Sequence, residues 1–317
     1  MVHRSKRICL YDDDVIQKIN PETLQLHKKY NIDMSIRGLS QNTIKQYQSD
    51  LMQWFIYMYN NQFNPSVLEV TDEDLEEYFY WRSQNGNNAN RQRRVMSSIS
   101  AFYKFLRKKK LIKESPTEFL DRPKQGQPVV KQTFLSLEQV HLLRDKLTEH
   151  GDLQLKTYIL FGLSTMARVN AMAHLRWEQI DFEERICTDV VEKEGKIVDL
   201  YFSEEVSELL QSLQHERITN NIQDYGWVFI SPYVTEENCI TNGTLNEWCK
   251  KAGQMIGVPT LHNHDLRHSG SNILKDLGMD LQDIAELLHH ESTETTVKHY
   301  LTQNKKKIKE NKDRYNF

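Results

Sequence analysis

Three of the seven prolines in this 317-residue chain fall between positions 116 and 128. Proline fixes φ and has no amide proton, so Ser115-Pro116 and then Arg122-Pro123-Lys124-Gln125-Gly126-Gln127-Pro128 interrupt any helix that reaches them. Apolar residues recur at helical spacing on both sides of this break. The pattern predicts two folded bodies and a linker over 122–132, in keeping with about 150 residues per domain. The 38% hydrophobic and 27% charged residues are enough for a core in each and exclude a wholly disordered chain. The longest strongly apolar stretch, Tyr158 to Leu163, is far short of the roughly 18 residues of a membrane span. Asp12, Asp13 and Asp14 stand where a signal peptide would have its apolar core, so a cytoplasmic protein with no membrane partner is expected. Cys9, Cys187, Cys239 and Cys249 include no C-x-x-C pair, which argues against a disulfide framework or a four-Cys zinc site.

The expected fold is mainly α with a small β-sheet, an α+β arrangement. Residues 1–35 are weakly patterned and read as an N-terminal arm with a short helix around Asp14 to Tyr30. Residues 36–121 read as a helical domain. Ser40 caps a helix with Ile44, Tyr47, Leu51, Trp54, Phe55 and Met58 at helical spacing. Thr71-Asp72-Glu73-Asp74 opens a second, with carboxylates where the helix dipole favours them. A third is expected from Asn90 to Lys110. Residues 133–317 form the second domain. Helices are expected at 137–149, 152–164, 204–215, 243–256, 265–277, 280–288 and 293–301, and a hairpin over Arg185 to Phe202 turns at Lys193-Glu194-Gly195-Lys196.

The stretch Arg91 to Lys113 holds nine Lys or Arg and no acid, interleaved with Met96, Ile99, Phe102, Tyr103 and Leu106. A helix with one apolar and one cationic face suits a phosphate backbone, which makes Arg91, Arg93, Arg94, Lys104, Arg107 and Lys108 candidate DNA contacts. A solvated basic face without a ligand is the plainer alternative, and the net charge of −3 gives the DNA reading no help.

In the second domain Arg168 follows an apolar helix, and His264 and Arg267 share a helix face in H-D-L-R-H. His290 closes the run I-A-E-L-L-H-H, and Tyr300 ends T-T-V-K-H-Y. Taken singly, each reads as a surface ion pair, a core residue or a rim residue. His264 and His268 lack a suitably spaced third ligand, so no metal is expected.

Taken together these segments resemble the tyrosine recombinase family of phage integrases and Xer-type recombinases, from Leu39 to Tyr300. T-M-A-R-V-N-A-M-A-H-L-R-W-E-Q-I-D resembles that family's first arginine box, and H-D-L-R-H-S with the two segments after it resembles the second. The first domain is similar to the family's SAM-like, core-binding domain. The resemblance implies a site-specific recombinase acting on double-stranded DNA, self-associating there, without cofactor or metal. Tyr300 would attack the scissile phosphate and form a 3′-phosphotyrosyl link. His264 would serve as general base, Arg168 and Arg267 as phosphate clamps, Lys193 as the acid for the leaving oxygen, and His290 as a further donor.

The sequence departs from the family pattern in three places. Ala171 stands where an acid usually follows the first arginine, and His289 replaces a glycine. Tyr300 lies one residue further from His290 than in many members, which puts His299 at the commoner nucleophile position. Lys196, across the turn from Lys193, is a second candidate for the acid. The alternative function is a catalytically silent DNA-binding repressor or phage regulator of the same fold. A type IB topoisomerase would share the chemistry.

Overall fold

Two units divide the chain, Met1–Val130 and Lys131–Phe317. The computed structural model describes residues 5–6, 8–124, 134–192 and 195–290.

The first unit contains α1 (Asp13–Ile16), α2 (Pro21–Ile36), α3 (Gln41–Asn61), α4 (Asp72–Gln84) and α5 (Ala89–Lys108). Caps set the helix starts: Ser40 accepts from the Thr43 amide, and Thr71 and Asp74 form a reciprocal capping box. The core is aromatic, with Tyr30 against Phe102 and Trp54 against Tyr103 at ring separations of 5.3 and 5.8 Å. The region expected as an arm is different. Helix α2 buries Leu26, Tyr30 and Met34 in this core, and Ile19 joins them. Its apolar positions are sparse because it also buries Thr23 and His27, which hid the pattern.

His27 packs edge-on against Phe55, and its buried Nε2 has no hydrogen-bond partner among the described residues. Burial lowers its pKa from 6.5 to about 4. The neutral ring is therefore the folded form. Its contribution is complete above pH 6.5 and is lost as pH falls toward 4. Urea unfolding at pH 7 and pH 4.5 should show that wild type loses about 2 kcal/mol more than His27→Leu over this interval. Equal losses would contradict the assignment.

The second unit begins with α6 (Leu137–His150), capped by the Ser136–Gln139 box, then α7 (Leu153–Thr165) and α8 (Val169–Ala173). Strands β1 (Ile180–Asp181), β2 (Ile186–Val191) and β3 (Ile197–Tyr201) form an antiparallel sheet in that order. The register pairs Cys187 with Leu200 and Val190 with Val198. A shift between these pairs, with Asp189 at φ +55°, marks a bulge that lets both Cys187 and Val190 face inward. Helices α9 (Glu204–Thr219), α10 (Asn242–Gln254), α11 (Asn263–Leu277) and α12 (Leu281–Leu287) follow among the described residues. Its core centres on α7, where Tyr158 and Phe161 pack against Phe229. Strand β1 was not expected from sequence. The helix expected at 293–301 lies outside the described residues.

Helix α11 lies directly on the end of α7. A Cβ at Gly270 would come within 2.3 Å of the Leu163 carbonyl oxygen, so glycine permits the approach. This crossing carries Arg267, one turn earlier, to the C-terminal end of α7.

Candidate active site

Arg267 is 1% exposed and reaches the ends of two helices. Its Nη1 donates to the Met166 carbonyl at 2.6 Å, just past α7, and its Nη2 donates to the Leu288 carbonyl, just past α12. Helix C-termini carry partial negative charge, which favours a guanidinium there. Met166 is left-handed at φ +54°, and this turn brings Arg168 to the N-cap of α8 two residues later. Arg168 forms an ion pair with Glu192, which directly follows β2.

His290 Nε2 lies 3.4 Å from Arg267 Nη2. Burial, then the positive charges of Arg267 and Arg168, lower its pKa to about 4. His264, in the first turn of α11, is exposed at its edge and stands 5.3 Å from the His268 ring. Partial burial, then His268 and Arg267, lower its pKa to about 4. Both imidazoles are thus neutral near pH 7, one able to take a proton and the other to donate a hydrogen bond without adding charge.

Arg168, Arg267, His264 and His290 are therefore brought to one region of the second unit. Lys193 and Tyr300 lie outside the described residues. Lys196 donates from Nζ to the His289 carbonyl at 3.0 Å. His289 adopts φ +51°, so the glycine-type turn conformation is kept with a side chain present. Its Nε2 lies 3.0 Å from the Asp199 carbonyl, which ties the turn to β3. Ala171 is fully buried in the core. Two residues that the sequence reading passed over stand in the site: Glu192, and His289 as a contact in its own right. Among the described residues no group of three or more His, Cys, Asp or Glu is placed to hold a metal ion.

The basic helix of the first unit separates into two sets. Arg91 and Arg94 reach the buried carboxylate of Asp50 on α3 at 3.0 and 3.2 Å, and Ser98 donates to the same group. Arg93 donates to the Pro123 carbonyl at 2.8 Å. These three arginines have structural work within the unit. Lys104, Arg107 and Lys108 are exposed on the later turns of α5, with Arg107 in a loose surface pair with Glu118 at 3.6 Å.

The sequence model described as "Phage integrase family" matches residues 91–307, more than half of the chain, and "Phage integrase, N-terminal SAM-like domain" matches 29–110. The chain belongs to the phage integrase family. The tyrosine recombinase XerC of Leptospira interrogans is 28% identical over 282 residues, covering 86% of this chain and 87% of that one. XerD of Vibrio cholerae is 26% identical over 266 residues, covering 82% and 85%. Two solved structures share the fold of this integrase-family chain. The Tn1549 transposon integrase bound to transposon right end DNA has a TM-score of 0.66 at 17% identity, covering 92% of this chain and 98% of that one. The XerH site-specific recombinase bound to its palindromic difH substrate has a TM-score of 0.69 at 16% identity, covering 87% and 81%. No helix among the described residues is long and apolar enough to cross a membrane.

Proposed function

We propose that this protein is a site-specific DNA recombinase of the tyrosine type. It binds duplex DNA, cleaves a strand through a 3′-phosphotyrosyl link to Tyr300, and rejoins it to a new partner strand. The observation that carries the reading is the convergence of two guanidinium groups and two neutral imidazoles. Arg267 and His290 are 3.4 Å apart, and both Arg267 and Arg168 act electrostatically on His290.

Each residue has a role that its side-chain chemistry can carry. Arg168 and Arg267 present planar forks that match the non-bridging oxygens of a phosphodiester and stabilise the charge that develops on them. A phenol has an unperturbed pKa of about 10 and needs a base to become a nucleophile near pH 7. His264 is neutral there and takes that proton. His290 adds a hydrogen bond to the phosphate. Lys193 protonates the leaving 5′ oxygen. The covalent link keeps the bond energy for rejoining. The protein assembles with further copies of itself on DNA, in the cytoplasm.

The test is covalent capture. A nicked duplex that loses a short fragment after cleavage should trap the wild-type protein as a denaturation-resistant DNA adduct, and Tyr300→Phe should bind DNA but give none.

A further inference from the structure

Glu192 is an unusual residue in this site. Its side chain is 1% exposed, against 31% for its partner Arg168. Burial pushes its pKa up, but His289, Arg168 and Arg267 outweigh that and hold the carboxyl below its ordinary value. Its Oε1 is buried and has no hydrogen-bond partner among the described residues. An unpaired buried acceptor costs stability, so this open oxygen calls for a reason. The residue that directly follows it in sequence is Lys193, the candidate general acid.

We propose that Glu192 is a positioning residue for strand cleavage: its carboxylate backs Arg168 from beneath and latches the β2–β3 hairpin to the turn at Leu288–His290. The proposal rests on the recombinase reading above. It assigns the acidic function to the end of β2, whereas the position three residues after the first arginine that is usually acidic in the family holds the buried Ala171.

The geometry separates a support from a plug. A carboxylate occupying the phosphate's own seat would lie at the mouth of the site, exposed. Glu192 is instead covered, and the guanidinium of Arg168 keeps an open side. One carboxylate set against Arg168 and Arg267 also leaves net positive charge for the phosphate. The latch has four parts. The Glu192 amide donates to the Lys196 carbonyl at 2.8 Å, and Lys196 Nζ donates to the His289 carbonyl at 3.0 Å. His289 Nε2 meets the Asp199 carbonyl at 3.0 Å, and His289 Nδ1 faces Glu192 Oε2 at 3.7 Å. Backbone and side-chain contacts through Lys196 and His289 thus join hairpin to turn, and the buried carboxylate lies against Arg168 on one side and, as a charge partner for the imidazolium form, His289 on the other.

The experiment uses the full-length protein, Glu192→Gln, and Glu192→Asp as the conservative variant. The DNA is a nicked suicide duplex selected from a random-sequence pool for binding. Glu192→Gln should bind DNA within about threefold of wild type and form adduct about 10–100-fold more slowly, with Glu192→Asp recovering part of the rate. In an Arg168→Lys background the Gln substitution should cost less than about threefold, because its effect passes through the lost fork. Hydrogen exchange at the Ile197–Tyr201 amides should quicken in Glu192→Gln while α7 is unchanged.

Faster cleavage with tighter binding would make Glu192 a plug and overturn the proposal. So would an undiminished loss in the Arg168→Lys background, or unchanged exchange in β3. If the wild type forms no adduct, the recombinase reading fails, and the exchange measurement decides the latch separately. Unchanged β3 exchange rejects it, and faster exchange upholds it.

Discussion

Arg168→Lys is expected to leave the protein folded and bound to DNA while slowing covalent adduct formation by about 10²–10³-fold. Lysine keeps the positive charge that Glu192 needs, so the buried carboxylate is not left unpaired. Arg168→Ala would leave it so, at a cost of about 3–5 kcal/mol, and would confuse lost folding with lost chemistry. What lysine removes is the planar fork that binds two phosphate oxygens at once. Quenched-time gels of the adduct, beside thermal melts and gel shifts, give the three readouts. A lysine variant that cleaves within a few-fold of wild type would mean that Arg168 supplies charge alone.

Reversing Lys104, Arg107 and Lys108 to Glu together should weaken DNA binding by about 10²-fold or more at 0.15 M salt and flatten the dependence of log Kd on log salt by about 2–3, if each neutralises one phosphate. These side chains share the exposed face of α5. Reversal at Arg91 or Arg94 would instead set a new carboxylate beside Asp50, which already needs both arginines, and the unit would lose stability before DNA binding was tested. Fluorescence anisotropy across a salt series measures the effect. Unchanged affinity and slope would show that this face does not meet DNA.

Much of the architecture was readable from residues in order. Helix α5 was legible because its apolar positions hold helical spacing over twenty residues, and α6 because Ser136 and Gln139 form its cap. The hairpin strands stood out as β-branched runs on either side of a glycine turn. The two-residue β1 carries no period of its own. It exists because Ile180 falls opposite Cys187, seven residues on, a two-residue pairing too short to show any alternation in sequence.

The site was legible in part for the same reason. Arg168, His264, Arg267 and His290 carry chemistry that their types announce. Asp50 looks like a surface acid in the middle of a helix, and its burial depends on two arginines more than forty positions away. Glu192 sits in V-V-E-K-E-G-K, where acids near a turn read as solvated. A faint signal was present: strand residues two apart share a face, and Val190 and Glu192 are both buried. His289 stands where the family pattern has a glycine, yet the turn holds it at φ +51° because both ring and carbonyl find partners on the hairpin.

The most direct test of strand cleavage by Tyr300 is to incubate full-length protein with a pool of nicked suicide duplexes of random central sequence and to isolate DNA that remains attached after denaturation. The expected result is an adduct with wild type and with His299→Phe, none with Tyr300→Phe, and a phosphotyrosine at position 300 when the adduct is digested and the peptide sequenced. Tight DNA binding with no adduct from the wild type, or an adduct that survives in Tyr300→Phe, would contradict it.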